Sequence, residues 1–175
     1  MNKPTLATLW LDGCSGCHMS FLDTDENILE ILNIIDLVYS PIIDIKEFPQ
    51  NVDFTLVEGA VNTVEDAQKI EEVRRKTKTL IAFGDCAVTG NVPSLRNPFG
   101  KEDTIKVAYS DEIMNFFKDG GLPEHLPKAI PLNKVVEVDY FIPGCPPPAN
   151  AIYNILKGLI SGSVPVATEW TRFGR

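Results

Sequence analysis

Three short apolar runs in this chain end in a glycine-bearing turn that carries a cysteine, and this repeated ending constrains the fold more than any other feature. Thr5–Leu11 runs into Asp12-Gly13-Cys14, Thr79–Phe83 into Gly84-Asp85-Cys86, and Val135–Ile142 into Pro143-Gly144-Cys145. Each run is rich in β-formers and reads as a buried strand, and each turn reads as its end. Leu37–Tyr39 and Val52–Glu58 add two more strands. Between them lie helical patterns. One spans about Met19 to Ile34, with Phe21, Leu22, Ile28, Leu29, Leu32 and Ile35 roughly on one face. A second starts at Thr63 as N-cap and runs to Lys76, with Val64, Ala67, Ile70 and Val73 on one side. Glu65–Lys69, Glu71–Arg75 and Glu72–Lys76 form i,i+4 pairs on its wet side. The last carries Ile152, Ile155, Leu156, Leu159 and Ile160 as a core stripe. Alternating strands and helices predict an α/β layer fold with a mainly parallel sheet. In such a sheet, sites form at the carboxyl ends of the strands, where Cys14, Cys86 and Cys145 fall.

The segment between Cys86 and Val135 is less regular. Asn91–Gly100 reads as a loop, Ser110–Lys118 as a short helix, and Gly120–Leu132, with its prolines, as a long loop that leaves His125 at the surface. No repeat or linker divides residues 1–175, so one domain is expected. The net charge of −8 excludes a phosphate-neutralising surface, so nucleic acid is not a predicted partner. The basic run at Arg74–Lys78 sits at a helix end, where cations complement the dipole. No stretch approaches a membrane span, and the N-terminus leads straight into the first cysteine motif with no targeting signal. The expected location is cytoplasmic. There, reducing conditions disfavour disulfides and point four cysteines towards metal or redox chemistry.

Those four, Cys14, Cys17, Cys86 and Cys145, are the whole complement. Cys14-Ser15-Gly16-Cys17 supplies two thiols from one small turn, and each other cysteine has a glycine within two residues. An iron–sulfur cluster of the 4Fe–4S type takes four thiolates around a compact core. Structural zinc is the main rival, but zinc sites usually show two paired knuckles and this chain has one. A thioredoxin-like pair would leave Cys86 and Cys145 unexplained. Spacing favours iron–sulfur over zinc and leaves zinc open.

Four segments taken together carry a resemblance: LWLDGCSGCHMSFLD (Leu9–Asp23), VEGAV (Val57–Val61), AFGDCAVTGNVPSLRNP (Ala82–Pro98) and IPGCPPP (Ile142–Pro148). They resemble, in order, the small subunit of NiFe hydrogenases, and the shortness of the chain resembles the cytoplasmic, bidirectional NAD-reducing members. Small subunits of methanogen-type hydrogenases are similar around Cys14–Asp23. The resemblance implies a flavodoxin-like, doubly wound, mainly parallel sheet with helices on both faces. It implies that Cys14, Cys17, Cys86 and Cys145 hold one 4Fe–4S cluster proximal to a NiFe centre in a separate large subunit. With no cysteine to spare, no second cluster domain is expected.

The implied role is an electron-transfer subunit, passing electrons one at a time between the large subunit and a diaphorase module that handles FMN and NAD. Bound flavin in this chain is not expected, because the first β-to-α loop is taken by cysteines. Several hydrogenase small subunits have Glu directly after the second cysteine, where this chain has His18. His18 and Glu58 are candidates for a proton relay or a partner contact. The plainer alternatives are a satisfied histidine at a helix start and a carboxylate capping nearby N–H groups. A complex I-like quinone-reductase subunit is a more distant alternative, since it typically carries adjacent cysteines where this chain has Cys14 and Cys17 separated by two residues. A zinc-stabilised interaction module is the alternative from another class. The Asn91–Gly100 loop, the proline-rich stretch and Glu169–Phe173 are candidate partner contacts.

Overall fold

The structure is a computed structural model that describes residues 3–110, 112–113 and 121–174. Five strands form one parallel sheet: β1 (Thr5–Trp10), β2 (Asp36–Tyr39), β3 (Val52–Glu58), β5 (Thr77–Phe83) and β7 (Tyr140–Ile142), in the order β2-β1-β3-β5-β7. Renumbered within the sheet this is the 2-1-3-4-5 order of flavodoxin-like folds, with its switch point between β1 and β3. Two short strands, β4 (Val61–Thr63) and β6 (His125–Ile130), pair antiparallel beside it.

Alternation along the strands splits the core in two. Leu6, Leu56, Ile81 and Phe83 face one layer with α1 (Gly16–Leu22), α2 (Asn27–Ile34) and the last helix, α6 (Ala149–Ile160). Ala7, Leu9, Val57, Leu80 and Ala82 face the other, with Ile70 and Val73 of α3 (Val64–Lys76) and Ala87 of α4 (Asp85–Thr89). The short helix α5 (Lys101–Ala108) follows a 3-10 turn at Val92–Arg96. Among the described residues no helix is long and apolar enough to cross a membrane.

Helix α3 matches its sequence signals. Thr63 and Asp66 form a reciprocal capping box, acids occupy the first turn and Arg74, Arg75 and Lys76 the last. Of the three expected i,i+4 pairs, Glu72–Lys76 closes, at 2.5 Å.

Elsewhere the chain departs from expectation for local reasons. The helix expected over Met19–Ile34 starts at Gly16 and breaks at Asp23–Glu26. Thr24 turns its hydroxyl back to the Phe21 carbonyl at 2.8 Å and Asp25 is left-handed at φ 50°, the behaviour of side chains that compete with the helix ladder. The strand expected over Val135–Ile142 shrinks to Tyr140–Ile142. Leu132–Lys134 is instead a 3-10 turn that buries Leu132. Asp139 places its carboxylate on the Leu80 N–H at 2.7 Å and on Arg74 at 2.6 Å, so a side chain supplies the next rung. The loop expected over Gly120–Leu132 contains β6, and His125 is half-buried opposite Thr63 rather than a surface loop residue. Pro127 masked that strand; an edge strand tolerates proline because its N–H can face outward. Most of the helix expected over Ser110–Lys118 lies outside the described residues.

Asp53 fastens the amino-terminal edge of the sheet. It accepts from the Thr5 N–H at 2.8 Å, the Thr5 hydroxyl at 2.9 Å and the Lys78 ammonium at 2.7 Å, tying β1, β3 and β5 together. The Lys78 hydrogen bond, opposed by partial burial and helped by Thr5, holds its carboxyl below the usual range. A folded-state value below the unfolded one means stability that is present above the unfolded value and is lost as pH falls through the folded one. Asp53→Asn should therefore cost roughly 1–2 kcal/mol in urea unfolding at pH 7. That difference should fade as both proteins are titrated below about pH 4.

Candidate metal centre at the carboxyl edge

Four neighbouring strands deliver the site. β1 leads to Cys14 and then into α1 with Cys17, β3 ends on Glu58, β5 leads to Cys86, and β7 to Cys145. Cys14 and Cys145 are exposed, Cys86 is half-buried and Cys17 is buried. The sheet thus brings together all four sequence-predicted cysteines and Glu58 at one edge, beside the switch point.

The centre of this edge is held by Glu58, which is 2% exposed. Its Oε2 accepts from the His18 backbone N–H at 3.0 Å and pairs with His18 Nδ1. The other ring nitrogen, Nε2, lies 3.0 Å from the Thr8 hydroxyl, which donates to Ser40 Oγ at 2.8 Å. Phe83 stands edge-on to the imidazole at 6.4 Å. His18 and Glu58 are therefore one buried unit that pins the first turn of α1 onto β3. The same Glu58 oxygen serves the helix start and the ring.

A second buried carboxylate fixes the other two cysteine loops. Asp85 accepts from the Gly144 N–H at 2.6 Å, while its own N–H donates to the Gly144 carbonyl at 2.8 Å. Its second oxygen accepts from the Gly174 N–H at 2.8 Å. Ser20 donates to the Pro147 carbonyl at 2.5 Å and Thr171 to the Pro143 carbonyl at 2.6 Å, bracing the Cys145 loop from both sides. Part of the tail expected to meet a partner is thus folded behind this loop, while Trp170 and Phe173 remain exposed. The Cys145–Pro146 peptide is cis.

Sequence reading gave no role to Asp85 or Ser20, and included Thr171 and Asn91 only within segments expected to meet a partner. The signal for Asp85 was present: an acid one residue before a cysteine, in a glycine turn, facing a second glycine turn of similar shape. Ser20 and Thr171 reach their partners across 127 and 28 residues, and no local pattern announces such contacts.

The thiols have donors and electrostatic company. The Val92 N–H bonds Cys86, and the Asn91 side-chain amide lies 3.4 Å from Cys145 Sγ. Burial, above all, pushes the Cys17 thiol far above its ordinary value, followed by the Glu58 carboxylate and then the other three cysteines. Cys86 is pushed up to about 11, first by burial and then by Cys145 and Cys14, with the Val92 N–H acting the other way. The four sulfurs feel one another, and four thiolates there call for a cationic core. A single zinc ion holds its sulfurs about 3.8 Å apart at Zn–S bonds of about 2.3 Å. Among the described residues no three Cys, His, Asp or Glu side chains gather closely enough for one metal ion. Four cysteines brought from three strand ends are the donor set that a 4Fe–4S core takes, and the residues present fit that group.

Gly84 leaves room for the Cys17 sulfur beside the Cys86 turn. It sits at φ 84°, and a Cβ there would lie 2.2 Å from Cys17 Sγ. Gly84→Ala should lower bound iron several-fold, read by iron and sulfide analysis after anaerobic purification. Gly100→Ala is the control. It has a similar φ of 77° with open space around the added carbon, so it should lose about 1 kcal/mol of stability and keep its iron.

The chain is similar in sequence and in fold to proteins already known. The family model described as "NADH ubiquinone oxidoreductase, 20 Kd subunit" matches residues 14–159, a span that includes all four cysteines. The delta subunit of the NAD-reducing hydrogenase HoxS of Cupriavidus necator is 38% identical over 169 residues, covering 91% of this chain and 80% of that one. A subunit of the F420-non-reducing hydrogenase vhu of Methanocaldococcus jannaschii is 40% identical over 161 residues. That match covers 89% of this chain, which spans only 55% of the methanogen protein. A chain in the crystal structure of an NAD+-reducing NiFe hydrogenase in the H2-reduced state superposes with a TM-score of 0.88 at 31% identity, covering 98% of this chain and 99% of that one.

Proposed function

This chain belongs to the NADH ubiquinone oxidoreductase 20 Kd subunit family, in its hydrogenase branch, and on that premise we propose that Cys14, Cys17, Cys86 and Cys145 hold a single 4Fe–4S cluster in an electron-transfer subunit of an NAD-reducing NiFe hydrogenase. The observation that carries the reading is the convergence of the four cysteines from β1, α1, β5 and β7 on one sheet edge, with N–H donors already aimed at Cys86 and Cys145. A cluster bound there supplies one-electron transfer at a potential set by hydrogen bonds, burial and local charge.

The chain's own residues hold that site in shape. Glu58 and His18 anchor the turn that carries Cys14 and Cys17, and Asp85 locks the Cys86 turn to the Cys145 turn. Cys17 is buried, whereas Cys14 and Cys145 are open to the surface. The open side is where a redox partner approaches. The partners in this reading are a large subunit carrying the NiFe centre and an iron–sulfur/flavin diaphorase that uses FMN and NAD, all in the cytoplasm. Exposed Trp10 and Met19 flank the first cysteine pair in sequence, and exposed Val92, Leu95 and Phe99 follow Cys86. They form the apolar surface such docking buries. The whole chain acts in this reading as one cluster-binding domain.

Cys86→Ser and Cys145→Ser, made in the assembled complex, should each lose or convert the cluster. H2-dependent NAD+ reduction should fall at least tenfold, while H2-driven reduction of an artificial dye by the large subunit falls less. Full coupled activity with undiminished iron in both variants would overturn the ligand assignment, and stoichiometric zinc without iron in the parent would overturn the cluster.

A further inference from the structure

Asn91 occupies a backbone conformation that its residue type disfavours, at φ 29° and ψ −123°. This combination lies near the first central position of a type II′ turn, a place for glycine. The left-handed region that asparagine tolerates has positive ψ, so that tolerance does not reach this position. The strain is held on both sides. The preceding Gly90 donates its N–H to the Cys86 carbonyl at 2.9 Å, and the Asn91 carbonyl accepts from the Ser94 hydroxyl at 2.7 Å and its N–H at 3.1 Å. Arg96 then ties the same turn to the Asn62 side chain at 2.8 Å and to the Leu126 carbonyl at 2.9 Å. Glycine would satisfy every one of these backbone contacts. What glycine lacks is the side-chain amide, and that amide lies 3.4 Å from Cys145 Sγ.

We infer that Asn91 is a positioning residue whose side-chain amide is a dedicated donor to the Cys145 thiolate and raises the reduction potential of the cluster held by the four cysteines. The inference rests on the cluster reading above. Its physics is simple: reduction adds negative charge that spreads onto the cysteine sulfurs, and a donor beside one of them stabilises the reduced state more than the oxidised one. Cys145 is exposed, so an amide fixed by the fold holds a place that solvent would otherwise occupy. The turn's geometry therefore favours glycine for stability, and the sulfur favours asparagine for potential.

Two variants separate these demands. Asn91→Gly relieves the backbone and removes the donor. Asn91→Asp keeps the side-chain shape but leaves an acceptor-only carboxylate beside the sulfur. Each is purified anaerobically in its native complex, and the cluster's midpoint potential is read by EPR-monitored redox titration alongside the thermal unfolding midpoint. Asn91→Gly should unfold at the same or a higher temperature, yet lose about tenfold in the equilibrium for cluster reduction, roughly 59 mV for one electron. Asn91→Asp should shift the potential further in the same direction. An unshifted or raised potential in Asn91→Asp, or a lower unfolding temperature with unchanged potential in Asn91→Gly, would overturn the inference while the cluster reading stands. Absence of iron and sulfide from the parent chain would overturn both.

Discussion

Glu58 is the constraint on which the carboxyl edge depends. A parallel sheet presents unpaired backbone groups at the ends of its strands, and the turns that leave it must be fastened by something other than sheet hydrogen bonds. Glu58 closes β3 between the strands that lead to Cys14 and Cys86, and its carboxylate takes the His18 N–H and the His18 ring. Without it, a buried N–H and a buried imidazole nitrogen would lose their partner, at about 1–3 kcal/mol for each unsatisfied group. The turn carrying Cys14 and Cys17 would then have only its own short helix to define it. Asp85 plays the corresponding part on the other side, with both oxygens used and both neighbouring turns tied to it. The site is held open by two buried acids that need not touch its contents.

The two edges of the sheet are fastened differently. Asp53 at the amino edge is partly exposed and bonded to Lys78, so its bonds are water-competed and pH-sensitive. Glu58 and Asp85 at the carboxyl edge are almost fully buried and take most of their bonds from backbone N–H groups or a ring nitrogen. Backbone donors cannot swing away as a lysine side chain can. The edge where the four cysteines meet is therefore the more firmly fastened one, as a site assembled from distant parts of the chain would require.

The fold was legible where local and global preferences agree. β1, β3 and α3 stand within a residue or two of their predicted bounds because each has an apolar pattern, a marked end and, for α3, a capping box. The cysteines were legible because their glycine turns repeat. The reading failed where a side chain replaces a backbone partner. Asp139 does this for the rung before β7, Asp25 turns the chain between α1 and α2, and Pro127 hides β6. It also failed at Asp85 and Asn91, whose partners are 59 and 54 residues away. A motif shows that such residues sit near a site, but only the folded chain shows which atom each one holds.

The exposure of the cysteines determines how the site can be used. Burial, and after it the neighbouring negative groups, make the Cys17 and Cys86 thiols of the metal-free chain harder to deprotonate than ordinary thiols. Metal binding must release those protons, so loading is opposed by acid and drawn forward by the core's positive charge. Cys17 is buried, whereas Cys14 and Cys145 are exposed. A redox group seated between them would be insulated on its inner side and within reach of a partner on its outer side. Electron exchange from such a site then depends on what covers Cys14 and Cys145. Exposed Trp10 and Met19 near the first cysteine pair, and Val92 after Cys86, are the apolar side chains that such a cover would bury.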